Sequence, residues 1–301
     1  MKLAHKTEEV RHIVSDWRAR KQKVAFVPTM GALHEGHLSL IRQAKEHAGQ
    51  VVVSVYVNPT QFGPGEDYDQ YPRTLSSDVE KCRKAGASLV FAPDSEEMYG
   101  ERTGNPEDYI SIGISKMNRF LCGETRKGHF EGVLQVVNKL FNIVQPDVAV
   151  FGQKDIQQWF IIRQMTEEFC HPVEILMGPT KREADGLAMS SRNKYLSPEE
   201  RKVAPSLFQA IQRISQKLTD RIQNADPQMN HIIMEPAIVT SEIEWLGENG
   251  FEVDYFSVVS TPDLQPADVI EFGRLYVIAV AAKLGKTRLI DNTLLNTMKC
   301  T

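Results

Sequence analysis

Cysteine is scarce in this chain of 301 residues: there are four, Cys82, Cys122, Cys170 and Cys300, with no Cys-x-x-Cys pair. Such spacing argues against a disulfide framework and predicts reduced thiols in a reducing compartment, the cytoplasm. No apolar stretch is long enough to span a bilayer, and the start from Met1 to Glu9 has no apolar signal core. Neither membrane insertion nor secretion is therefore expected. Charge of one sign is not in excess: a formal net charge of -4 and a pI near 6.1 argue against extensive nucleic-acid binding. A local basic site for small anions stays open. Two nucleotide fingerprints are also missing. No Gly-x-Gly-x-x-Gly follows the first strand, which weakens a dinucleotide-dependent dehydrogenase. Leu284-Gly285-Lys286-Thr287 has the end of a P-loop, but the glycine required five residues before Gly285 is Val280, so the segment reads as a hairpin turn. There is no internal repeat and no extended low-complexity tract.

What the chain does have is a hydrophobic content of 42% with 25% charged residues, enough for a substantial core in one large or two moderate domains. Val10, Ile13, Val14 and Trp17 have helical spacing and feed a first apolar strand at Val24 to Val27. Further strands are read at 51–57, 88–92 and 148–151, with a weaker candidate at 173–177, and helices at 37–48, 75–86, 131–144 and 155–169. Strand and helix alternate, which predicts a parallel sheet covered on both faces. The tail differs. Ser197 as N-cap and Pro198 at the first helical position open a long helical segment. Asp220 to Glu235 reads as a polar loop, 241–249 as a helix, and 251–259, 275–282 and 287–291 as strands, the last two pairing across the Leu284-Gly285-Lys286 turn. This is the pattern of a small α+β unit.

The segment with most chemistry joins the first strand to the next helix: Met30-Gly31-Ala32-Leu33-His34-Glu35-Gly36-His37. Amides at a helix start favour anions, glycines let a ligand approach the main chain, and imidazoles donate to phosphate oxygens. Either His alone reads as a solvated or capping residue, but two on one helical turn at a strand's carboxyl end point to a ligand crevice. A zinc pair is disfavoured, because the spacing is not His-Glu-x-x-His and no nearby Cys completes a set. After the second strand, Asn58 and Gln61 open a Gly/Pro-rich loop, either as turn-forming amides or as hydrogen-bonding groups for a small polar ligand. The fourth strand ends in Gly152-Gln153-Lys154-Asp155, with Asp155 placed to N-cap the next helix and Gln158 one turn on. Lys181 to Asn193 combines Lys181, Arg182 and Arg192 with Ser190 and Ser191, either a mobile phosphate clamp or a capped turn between domains.

Taken in order from about Lys23 to Asn193, these motifs resemble the pantoate–β-alanine ligase family of nucleotidyltransferases. The two family signatures correspond to His34-Glu35-Gly36-His37 and Met189-Ser190-Ser191-Arg192. The resemblance implies an α/β fold with a Rossmann-like parallel sheet: residues 1–187 as the ATP- and pantoate-binding domain and 188–301 as a smaller C-terminal α+β lid domain. It implies attack of the pantoate carboxylate on the α-phosphorus of ATP, then of the β-alanine amine on pantoyl adenylate. His37 is the expected main catalytic group, with His34, Lys154 and Arg192. Met30, Gly31, Ala32, Leu33, His34, Glu35, Gly36 and His37, with Gly152, Gln153, Lys154 and Asp155, would line the ATP site. Lys181 would contact adenine through its backbone, Met189, Ser190, Ser191 and Arg192 would close on the phosphates, and Gln61 and Gln158 would hold pantoate. Mg²⁺ would accompany ATP, its protein ligands left open although Asp78 matches one aspartate of the family's pattern. A homodimer is implied as well. Another adenylyl- or cytidylyltransferase of the same superfamily, or a nucleotide-binding sensor without turnover, is the alternative.

Overall fold

A computed structural model describes residues 1–100 and 110–298, which divide into two units. Residues 1–114 and 126–181 form the first, and residues 115–125 and 182–301 the second.

In the first unit β1 (Lys2–Ala4), α1 (Thr7–Ala19), β2 (Val24–Thr29), α2 (Glu35–His47), β3 (Gln50–Val55), α3 (Leu75–Ala85), β4 (Leu89–Phe91) and α4 (Ser95–Tyr99) follow one another. After α5 (Cys122–Thr125), a short helix of the second unit, come α6 (His129–Val144), β5 (Val148–Gly152), α7 (Ile156–Glu168) and β6 (Glu174–Gly178). The six strands form one sheet in the order β1-β4-β3-β2-β5-β6, parallel throughout. Ala25, Val27, Val51, Val53 and Val150 pack with Leu40, Ile41 and Ala44 of α2 and Cys82 of α3. Phe26 points the other way, onto Phe141 of α6 at 6.3 Å between ring centroids. Both faces are covered, and that is why these strands read as unbroken apolar runs rather than alternating ones. The strand order reverses between β2 and β5, so the loops after those two strands lie at the switch point where open α/β sheets bind ligands.

The second unit contains α8 (Pro198–Val203), α9 (Ser206–Gln223), β7 (His231–Ile233), α10 (Ala237–Glu248), β8 (Phe251–Ser260), β9 (Val269–Glu271), β10 (Leu275–Leu284) and β11 (Thr287–Asn296). Its main sheet is antiparallel, in the order β11-β10-β8. Ile211, Ile214, Leu218 and Ile222 of α9 and Leu246 of α10 pack with Ile278, Val280 and Ala282 of β10. Each such fully buried Leu, Ile or Val side chain contributes roughly 1.5–3 kcal/mol. Thr287 pairs with Leu284, and Gly285 at φ +58° makes the hairpin turn expected in place of a P-loop. Segment 115–125 joins this unit through Cys122, whose Sγ lies 3.1 Å from the Tyr255 hydroxyl, and through Arg288, which binds Asp254 at 2.6 Å and reaches the same sulfur at 3.7 Å.

Three expectations need correction. The first sheet has an edge strand, β1, too short to show a period. The long helix after Ser197 is two helices: Ser197 caps the first as expected, its box closed by Glu200, but α8 ends before Pro205, whose ring has no N–H to carry the ladder on. The polar stretch 220–235 is not all loop: α9 runs to Gln223 because Ile222 continues its buried face, and His231–Ile233 pairs with Val269–Glu271.

Candidate active site

The His34-Glu35-Gly36-His37 segment is a capping box built from two imidazoles. His34 is the N-cap of α2, and its Nδ1 accepts the Gly36 N–H at 3.2 Å. Nδ1 of His37 accepts the N–H of His34 at 3.3 Å, the return half of the box. An Nδ1 that accepts has no proton, so each ring is neutral with its hydrogen on Nε2. The rings lie 4.1 Å apart at 41°. Burial foremost, then the neighbouring His34 ring, whose protonation would be opposed by a second imidazolium, and the ammonium groups of Lys154 and Lys81, hold the His37 pKa well below its ordinary value. The spacing follows from the geometry: a Cβ on Gly36 would come within 2.8 Å of His34 Cε1. This glycine makes room for an imidazole, whereas the sequence suggested room for a ligand.

The turn before the box is closed in the same way. The N–H of Gly31 meets Thr29 Oγ1 at 3.2 Å, and those of Ala32 and Leu33 meet the Asp78 carboxylate at 2.9 and 2.8 Å. Main-chain amides that the sequence offered to an anion are thus bonded within the protein. The ring Nε2–H groups and nearby ammonium groups supply the positive character instead. Lys154, in the turn 153–155 after β5, is close enough to depress the His37 pKa. Cβ of Lys181 lies 3.9 Å from where a Gly36 Cβ would sit. His34, His37, Lys154 and Lys181 are therefore brought together from three strand ends.

Asp155 occupies the N-cap position of α7 but its side chain caps nothing; the turn already formed by 153–155 places it outside capping geometry. Gly152 has negative φ, and a Cβ there would make only ordinary contact with Leu40, so the protein itself does not demand glycine at this position. Gln158 is half-buried on the first turn of α7.

Gln61 is buried in the turn 59–61 after β3, where its Oε1 accepts from Asn58 at 3.1 Å and its Nε2 lies 3.2 Å from Met30 Sδ. Asn58 is held by Gly132 O and the Tyr99 hydroxyl. Helix α6 presses its Gly132 onto this turn so closely that a Cβ would stand 2.2 Å from Thr60 O. His129 completes the support: Nδ1–H donates to Gln61 O at 2.8 Å, and Nε2 accepts from Arg126 at 2.8 Å. Arg126 is itself clamped by both oxygens of Glu66. Burial and the neighbouring guanidinium push the His129 pKa down to about 4. The sequence reading missed Glu66, Arg126 and His129, although Arg126-x-Gly-His129 repeats the spacing of the His34–His37 signature.

The serine-rich segment belongs to the second unit. Ser190 caps the short turn 191–195 by accepting the Arg192 N–H at 3.3 Å. Ser191 is buried, Met189 and Arg192 are half-buried. Arg182, one of the cations read as a possible clamp, is committed elsewhere: it pairs bidentately with buried Asp291 at 2.6 and 3.0 Å and stacks on Phe208. Glu183 and Asp185 both bind Arg201, and Asn193 ties back to Glu183 and Ala188. The loop stem is a braced hairpin.

Among the described residues no group of three or more His, Cys, Asp or Glu could hold a metal ion, and no helix is long and apolar enough to cross a membrane.

Comparison with known proteins agrees along the whole chain. The family model for pantoate-beta-alanine ligase matches residues 2–294. A pantothenate synthetase of Alcanivorax borkumensis is 46% identical over 292 residues, covering 97% of each chain. The crystal structure of pantothenate synthetase from Thermus thermophilus superposes with a TM-score of 0.85 at 38% identity, covering 98% of this chain and all of that one. Pantoate-beta-alanine ligase from Francisella tularensis, crystallised with beta-gamma ATP and beta-alanine, gives a TM-score of 0.78 at 30% identity over 98% of this chain and 97% of that one. Matched by the family model over residues 2–294 and by relatives along nearly its whole length, this chain belongs to the pantoate–β-alanine ligase family.

Proposed function

We propose that this chain condenses pantoate with β-alanine at the expense of ATP, releasing AMP and pyrophosphate by way of pantoyl adenylate. Family membership supports the reaction, and the observation that carries the assignment of roles is the imidazole box. Two neutral rings with protons on Nε2, beside Lys154, are donors suited to oxygens that gain charge as the pantoate carboxylate attacks the α-phosphorus. His37 is the principal group, with His34, Lys154 and Arg192 sharing the phosphate charge. Met30 to His37, Gly152 to Asp155, the backbone of Lys181, and Met189 to Arg192 form the ATP site. The Francisella relative was crystallised with beta-gamma ATP and beta-alanine, which supports both as ligands here.

Gln61 and Gln158 hold pantoate. Neutral amides orient its carboxylate and hydroxyls without pairing off the charge that must attack. Gln61 is preorganised for this by Asn58 and His129, and its Nε2 rests on a thioether, a weak acceptor that a substrate oxygen would displace. Mg²⁺ is the cation expected to accompany ATP, and when bound it would offset phosphate charge. The 1–187 and 188–301 division into a nucleotide domain and a lid and a homodimeric assembly rest on family resemblance, a cytoplasmic location on the spacing of the cysteines, and sedimentation would test the assembly.

The decisive assay follows AMP and pyrophosphate with each substrate omitted in turn. AMP should form only when pantoate is supplied, and the amide only when β-alanine is added. ATP consumption indifferent to pantoate would overturn the assignment and favour another nucleotidyltransferase activity.

A further inference from the structure

The turn that leads into the two histidines is held from behind by a charge on another helix. Gly31 and Ala32 lie at φ +85° and +50°, a bend that aims successive N–H groups at one point, the concavity in which many proteins bind anions. Here that concavity is already filled. The N–H groups of Ala32 and Leu33 meet the two oxygens of Asp78 at 2.9 and 2.8 Å, and the Thr74 hydroxyl adds a third donor at 3.0 Å. Asp78 lies in the first turn of α3 and is fully buried. The same helix grips the turn a second time, through the Lys81 ammonium on the Leu33 carbonyl at 2.7 Å. Gly31 lies directly against the carboxylate: a Cβ there would stand 3.1 Å from Asp78 Oδ2.

A buried carboxylate is costly unless strong donors meet it, and the donors that do so here are main-chain groups one and two residues before His34. The charge therefore couples the position of α3 to the start of α2. An Ala at positive φ is also held against its own preference, which requires the surroundings to over-determine it. Asp78 is the group that does so.

We propose that Asp78 is a positioning residue for the adenylation step. It fills the turn's anion nest with an internal charge, so that nucleotide phosphates meet the ring N–H groups of His34 and His37 instead of main-chain amides, and it fixes the helix start on which both rings are mounted. Both of its oxygens are engaged by the turn and by Thr74, two donors on Oδ2 and one on Oδ1, and this is the role of a structural anion. The proposal rests on reading this site as the phosphate site of an ATP-dependent ligase. Small displacements suffice: a shift of about 1 Å in a positioning group costs on the order of 100-fold in rate.

Asp78→Asn tests it, since the amide keeps the shape but sets an N–H against one of the main-chain donors. In a variant shown to be folded by its unfolding transition, ATP should bind about tenfold more weakly, to the same degree with and without Mg²⁺. Pantoate-dependent exchange of labelled pyrophosphate into ATP should fall about 100-fold, while amide formation from supplied pantoyl adenylate and β-alanine should stay within about threefold of the parent. Parent-like exchange would overturn the proposal. So would a binding loss confined to samples with Mg²⁺, which would make Asp78 a metal ligand, or an equal loss in both half-reactions, which would make its role merely structural. Should Asp78→Asn not fold, Lys81→Met releases the other end of the clamp and should weaken exchange about fivefold with the same selectivity; parent-like exchange there counts against the idea. If the parent itself shows no pantoate-dependent exchange, the ligase reading fails, and the ATP-binding comparison still decides the role of Asp78.

Discussion

The two signature loops are braced by opposite means. The turn from Gly31 to His37 satisfies its own backbone, through two imidazoles, a threonine hydroxyl and the buried Asp78. The loop from Arg182 to Asn193 is braced by ion pairs, one onto buried Asp291 and two onto half-exposed Arg201. The first arrangement is short-ranged and insensitive to salt; the second is strong where it is buried and weak where water reaches it. Fixing a helix start and attaching a loop are thus different physical problems in this chain.

The sharpest way to break the contrast is at His37. His37→Ala should lower kcat/KM for ATP by about 100- to 1000-fold, because it removes both a donor and half of the box that orients His34. Steady-state kinetics with saturating pantoate would check this, and a parent-like rate would show that the box is structural only. Asp291→Asn comes next. It should destabilise the second unit by about 3 kcal/mol, since it leaves the Arg182 guanidinium underpaired against a buried partner. Denaturant unfolding measures the change, which should survive added salt.

A third test uses pH. The His129 pKa of about 4 lies below its ordinary 6.5, so as pH falls between those values the unfolded chain takes up a proton that the folded one refuses. Stability from this site is complete above 6.5 and is lost progressively down to about 4. His129→Asn should flatten the dependence, by about 2 kcal/mol between pH 7 and pH 5, when urea midpoints are compared. It should also raise the KM for pantoate more than that for ATP, since the support of Gln61 is disturbed. The smallest effect belongs to the exposed brace. Arg201→Met should cost under about 1 kcal/mol, and 1 M salt should erase most of the difference.

The sequence made the local half of this legible. Runs such as Val51-Val52-Val53 announce doubly buried strands, and the His-x-Gly-His spacing announces the candidate site, whose imidazole box closes within four residues. What could not be read is what arrives from far along the chain. Asp78 reaches Ala32 across 46 positions, Arg182 reaches Asp291 across 109, and His129 reaches Gln61 across 68. No periodicity encodes such meetings; they exist only once the sheet order is set. The strand β1 was missed for a simpler reason, being too short to carry a pattern.

The chain does not visit its two units once each. Segment 115–125 lies in the middle of the first unit's sequence yet packs with the second, through Cys122 against Tyr255 and Arg288. Dividing the gene at the obvious place, near residue 181, would therefore yield no two self-sufficient products. The downstream fragment would lack a piece of its own interior and present Tyr255 and Arg288 to solvent, while the upstream fragment would carry eleven residues with nothing to fold against. A split or permuted version should instead be opened within one unit's surface turns, such as the Gly285–Lys286 hairpin, where no tract is orphaned.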